Sequence, residues 1–71
     1  MKKFTAEALI AHMIELLTAY LIELSVPEEA DDESFIYGEK LAYVECLELL
    51  QAWEHAAAYG LDYEVEKRFP L

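Results

Sequence analysis

The feature that most limits what this chain can fold into is a pair of long stretches in which apolar residues recur every three or four positions. They are separated by Pro27 and a run of acids. At about 100° per residue, such spacing draws an apolar stripe down a helix. In the first stretch Leu9, Ile10, Met13, Ile14, Leu16, Leu17, Tyr20, Leu21 and Leu24 fall on one arc, with Glu15, Thr18 and Glu23 opposite. This predicts a helix from about Thr5 to Leu24, with Thr5 as N-cap and Glu7 in the first turn, where a negative charge suits the helix dipole. The second stretch predicts a helix from about Phe35 to Tyr59. Its expected stripe is Ala42, Cys46, Leu49, Leu50, Trp53, Ala56 and Ala57, flanked by Phe35, Ile36, Tyr43 and Leu47.

The punctuation agrees with this division. The residue before a proline avoids the α region, so Pro27 closes the first helix. From 26 to 34 the acids Glu28, Glu29, Asp31, Asp32 and Glu33 predict a solvated loop, with Asp32 or Ser34 capping the second helix. Glycine costs about 1 kcal/mol relative to alanine inside a helix, so either the regular helix begins after Gly38 or Gly38 permits a close contact. Gly60 is expected to stop the second helix in a left-handed conformation, with Leu61 folding back. Asp62 then caps a short third helix over about 63–68, and the apolar end Phe69 to Leu71 docks on the body. Residues 1–71 thus form a single all-α domain, an αα-hairpin with a short C-terminal helix.

Such a hairpin is expected to need a second copy. A chain of 71 residues buries only about 60% of the surface that its unfolded form exposes, and small domains add a disulfide, a metal or oligomerisation. Cys46 is the only cysteine, which removes an intrachain disulfide and a cysteine zinc site. The first apolar arc spans about 160°, wider than the ~100° of an ordinary surface helix. We therefore expect two hairpins to pair as a homodimeric four-helix bundle. The interface candidates are Leu9, Met13, Leu17, Tyr20, Leu24, Leu49, Trp53 and Ala56, helped by small residues at Ala52, Ala57 and Ala58 that allow close approach.

Fifteen acidic residues against five basic ones leave a net charge of −10. Binding of a phosphate backbone needs a Lys/Arg surface, so nucleic acid is not an expected partner. Nor are anionic membranes; His12 and Glu15 also interrupt the one stretch long enough to resemble a span or leader. A cytoplasmic protein with a reduced thiol is the simplest expectation. A charged partner, if there is one, would be basic.

The segments Phe35-Ile-Tyr-Gly-Glu-Lys-Leu-Ala-Tyr-Val-Glu-Cys-Leu-Glu, Gln51-Ala-Trp-Glu and Tyr59-Gly-Leu-Asp-Tyr-Glu-Val-Glu-Lys-Arg-Phe-Pro-Leu carry a resemblance. This half of the chain is similar to a group of short bacterial proteins of unknown function. The resemblance implies an all-helical fold; it carries no activity and no site residue.

Few constellations could carry chemistry. Di-metal bundles use Glu-x-x-His pairs that face the interior; here His12-x-x-Glu15 and Glu45-x-x-Glu48 have the spacing but fall on polar arcs. Paired acids of this kind also resemble the magnesium-holding motifs of helical nucleotide pyrophosphohydrolases, but the second acidic motif on an adjacent long helix and a cationic cluster for phosphates are missing. Cys46, on the apolar stripe beside Glu45 and Glu48, reads as a buried structural cysteine, since a reactive thiolate wants an electropositive setting. His12 and His55 read as surface histidines, and Glu54 and His55, being adjacent, do not share a helix face. Tyr20, Tyr43, Trp53 and Tyr59 read as core or interface. We expect no catalytic, cofactor or metal residue. The leading functional expectation is a non-enzymatic, homo-oligomeric protein-interaction module. Two others stand beside it. One is a metal-dependent or nucleotide-processing enzyme with a carboxylate site between subunits, from Glu15, Glu45 and Glu48. The other is an acidic mimic of nucleic acid that occupies a basic protein, with Glu28 to Glu33 as its charged edge.

Overall fold

The computed structural model describes residues 3–25 and 33–71, with the side chains of all of these but Glu33 and Ser34. Among them the fold is wholly helical. Helix α1 covers Ala6–Leu24 and helix α2 covers Glu33–Leu50. A one-turn 3₁₀ helix, Ala56–Tyr59, and a short α3, Val65–Arg68, come after them. The acidic connector from Val26 to Asp32, with the expected cap at Asp32, lies outside the described residues. Ser34 is the second residue of α2, past the capping position.

Helix α1 starts where the sequence predicts. Thr5 is extended and its side-chain oxygen accepts from the Ala8 amide at 3.1 Å, relieving one of the amides a helix start leaves without an intrahelical partner. The helix closes at Ser25, whose amide reaches back to Leu21 and Ile22. It packs against α2 as an antiparallel hairpin. Tyr20, near the end of α1, meets Tyr43 in the middle of α2 with ring centroids 5.5 Å apart. Glu7, near its start, meets Tyr59 beyond the end of α2.

The second helix departs from the prediction: it ends at Leu50, not Tyr59. The Gln51 amide still reaches Leu47 in the α pattern, but those of Ala52 and Trp53 bond to Leu49 and Leu50, one residue closer. Helix geometry tightens here and the chain turns through 51–55 before the 3₁₀ turn. Neither glycine nor proline stands at the break, and Ala52 and Ala56 to Ala58 favour helix. Tertiary packing overrides them. A straight helix from 33 to 59 would run on alongside the start of α1 and leave one side of the hairpin bare. Bending instead brings Ala56, Leu61, Val65 and Phe69 onto Ile14, Leu21, Val44 and Leu47 in one buried cluster. Gln51 fastens the returning strand, its side-chain amide donating to the Leu61 carbonyl at 3.1 Å and the Tyr63 carbonyl at 2.7 Å.

Gly60 takes the predicted left-handed conformation, φ 104°, but it ends the 3₁₀ turn and not the second long helix. The Leu61 amide bonds to the Ala56 carbonyl and the Gly60 amide to that of Ala57, the paired bonds of a Schellman motif, and Leu61 is buried. The expected Asp62 cap does not form: α3 starts two residues later than predicted, behind Glu64, which makes no side-chain cap. Val65 and Phe69 set that start by turning into the core.

Two measurements test this arrangement. Leu47, fully buried, is expected to cost about 2–5 kcal/mol on replacement by alanine, read by urea unfolding. Gln51→Ala leaves two carbonyls unpaired, costs about 1–3 kcal/mol, and selectively speeds amide exchange across 61–69.

Candidate functional site

The hairpin has two broad sides, and the returning chain covers one. In α1, Ile14 and Thr18 turn toward the C-terminal segment, forming with Ala11, Glu15, Tyr59, Gly60 and Arg68 a cleft of about 360 Å³. In α2, Gln51 turns the same way. A third to half a turn round each helix, on the opposite side, a second set of apolar positions is uncovered. On α1 these are Leu9, Met13, Leu16 and Tyr20, exposed by 47%, 40%, 38% and 41%. On α2 they are Phe35 at 66% and Leu49 at 76%, with exposed Ala42 and Cys46 between them. Helical phase puts both rows on the same side of the antiparallel pair. The half-buried Leu17, Leu24, Tyr43 and Leu50 form the floor between them. A groove of about 440 Å³ opens along α2, lined by Phe35, Gly38, Glu39, Ala42 and Tyr43. Glu39 is the one charged residue lining that groove, and Glu23 on α1 and Glu45 on α2 stand at the edges of the two rows. Ile22 and Tyr37 are also exposed, on the other side at the connector end.

The sequence-predicted interface residues divide accordingly. Leu9, Met13, Tyr20 and Leu49 stand on the uncovered face; Leu17 and Leu24 are half-buried in its floor. Trp53 is instead half-buried at the bend, stacked on Tyr59 with centroids 5.3 Å apart and planes 20° from parallel. Ala56 is 2% exposed inside the chain's own core. Cys46, expected to be buried, is exposed, because α2 turns Val44 and Leu47 inward and its 42–46–49 row outward. Leu16 and Phe35 belong to the predicted apolar stripes without being interface candidates, and Val44 is not singled out by the sequence; two parallel apolar rows on one helix cannot be ranked by periodicity alone.

The carboxylates lie elsewhere. Glu15 lines the cleft on the covered side, facing Arg68, whose guanidinium lies 4.8 Å from the Tyr63 ring and 5.1 Å from that of Phe69. Glu45 and Glu48 are exposed on α2. Among the described residues no three His, Cys, Asp or Glu side chains converge as a metal would need. His12 stacks on Phe4. His55 lies 3.5 Å from the neighbouring Glu54, contrary to expectation, because both sit in a turn where adjacent residues can meet. No helix among the described residues is long and apolar enough to cross a membrane. No family model matches this chain, and neither a curated protein nor a solved structure is found similar to it.

One titration marks the join between α1 and the bend. The Tyr59 hydroxyl donates to the Glu7 carboxylate, and that bond, then slight burial and the carboxylate's charge, raise the phenol above its ordinary range. A raised acid favours the protonated form in the fold, so this tie holds below pH 10 and is lost as pH climbs through the raised value. Of the five tyrosines, the last to ionise in an ultraviolet pH titration is expected to vanish in Tyr59→Phe and to move down in Glu7→Gln.

Proposed function

We propose that this protein is a non-enzymatic, self-associating interaction module, in which two hairpins join their uncovered faces as a four-helix bundle in the cytoplasm. The observation that carries the reading is the continuous row of large apolar side chains left in water on one side of the hairpin. Monomeric soluble proteins rarely leave a contiguous apolar patch of more than a few hundred Å². Two dimensions support it. The chain exposes 5481 Å², whereas a monomeric protein of its 8.2 kDa exposes about 4,500 Å². Its radius of gyration is 13.3 Å, against about 11 Å for a compact domain of this length.

The occupant is best matched by a second copy. A basic protein would find one carboxylate, Glu39, in the groove, with Glu23 and Glu45 only at the edges of the two rows, in a chain whose acids lie mostly elsewhere. A second copy offers the same apolar face and meets the same need for cover.

Light scattering over a hundredfold dilution is expected to give a dimer that dissociates at the dilute end. Leu49→Asp keeps its helix content by circular dichroism and is monomeric throughout, because it places a charge on the face without entering the chain's own core. Asp at Leu17 or Trp53 is a poorer test, since both pack on that core. A wild-type protein that stays monomeric at the highest concentration rejects the reading.

A further inference from the structure

We infer that, in the pair proposed above, α1 of each copy lies along α2 of the other, both connectors sit at one end, and Leu17 of each chain meets the second copy's Cys46. The inference rests on the self-association reading and adds its geometry.

The sizes of the two rows carry it. A two-fold interface must be self-complementary, and helices interlock best where large residues face small ones. On α1 the row is uniformly large: Leu9, Met13, Leu16 and Tyr20. On α2 it is small in the middle, Gly38, Ala42 and Cys46, between Phe35 and Leu49. Gly38 shows how open that middle is, since a methyl group there would meet nothing within 4 Å in its own chain. If α1 faced α1 and α2 faced α2, large residues would collide on one side while small ones left a void on the other. If α1 faces the second copy's α2, the Leu16 and Tyr20 end of the large row meets the small stretch at Ala42 and Cys46.

The level of contact is set by the hairpin itself. Tyr20 meets Tyr43, so in antiparallel helices Leu17 is level with residue 46, Met13 with 50 and Leu24 with 39. A two-fold axis parallel to the helices keeps those levels, and it covers the exposed rows between Met13 and Leu24 of α1 and between Glu39 and Leu50 of α2. Leu17 then lies on the second copy's Cys46, Met13 on its Leu50, and Leu24 at the mouth of its groove beside Gly38. The opposite pairing, with the connectors at opposite ends, centres its axis near residue 46 to overlap the two hairpins fully, and so brings the two Cys46 thiols together. The favoured pairing puts them on diagonal helices, beyond the ~7 Å between Cα atoms that a disulfide spans. It also collects both Glu39 side chains at one end, so association strengthens as salt screens them.

Cys46 itself makes the decisive experiment. Under mild copper-catalysed oxidation, wild type is expected to remain uncrosslinked on a non-reducing gel, while Leu17→Cys converts almost wholly to covalent dimer. If Leu17→Cys does not fold, Met13→Cys with Leu50→Cys in a Cys46→Ser background asks the same question. Light scattering on the same samples should show several-fold tighter association in ~0.5 M than in ~0.05 M salt. Rapid wild-type crosslinking through Cys46, or failure of both engineered pairs in a protein that is still a dimer, overturns this geometry and leaves self-association standing. A wild-type monomer removes both.

Discussion

Two packed helices enclose a core only where something covers the seam between them, and this chain has cover for one side. The returning segment lays Leu61, Val65 and Phe69 over Ile14 and Leu47, held by both protons of one side-chain amide, that of Gln51. Everything else depends on that choice of side. It decides that Val44 and Leu47 are inside, that Ala42 and Cys46 are outside, and that the apolar row of α1 from Leu9 to Tyr20 is left open. With the segment undocked, both sides of the hairpin would be equally bare, and neither face of α2 would be distinguished as core.

The bend at 51–55 sets local preference against tertiary gain. Residues 51–59 contain four alanines and no helix breaker, and Gly60 carries the full hydrogen-bonded stop of a helix terminus. That terminus closes one turn of 3₁₀ helix because continuing α2 would carry Leu61 past the start of α1 and leave the core without the segment that covers it. The aromatic stack of Trp53 on Tyr59, with His55 edge-on at 5.4 Å, packs the inside of the turn and keeps apolar area buried that a straight helix would expose.

These forces separate the legible parts of the sequence from the rest. Thr5, Ile10 to Leu24 and Gly60 could be read because a cap, a 3.6-residue period and a left-handed glycine are local properties. The end of α2 could not, because its cause lies in helix α1, forty residues away. The phase of α2 is hidden for a related reason: the 42–46–49 row and the 43–44–47–50 row are both apolar, and only docking of the returning segment tells them apart. The same ambiguity places Cys46 inside when the sequence is read alone. The uncovered face was half legible. The wide arc of α1 pointed to a second neighbour, and Leu9, Met13, Tyr20 and Leu49 were found, while Ala56 and Trp53 were drawn in from a stretch of helix that does not exist.

The charge distribution bears on what can sit on that face. A carboxylate taken out of water costs several kcal/mol unless it is paired, and with fifteen acids to five bases most carboxylates here have no cation to pair with. A chain so composed can join another copy only through a surface that its acids avoid. Glu15 stands on the covered side, and Glu45 and Glu48 flank the outward row of α2 rather than occupy it. The repulsion between two such chains is then confined to the rim, where water and salt weaken it within about 8 Å, and the apolar centre is free to act. The same placement weakens the case for a basic partner on this face: charge attracts such a partner to the rim, but the centre that must be dehydrated offers it almost nothing to neutralise. An apolar, nearly uncharged face on a strongly acidic chain therefore selects by shape and apolar area, and the second copy proposed as its partner would satisfy both.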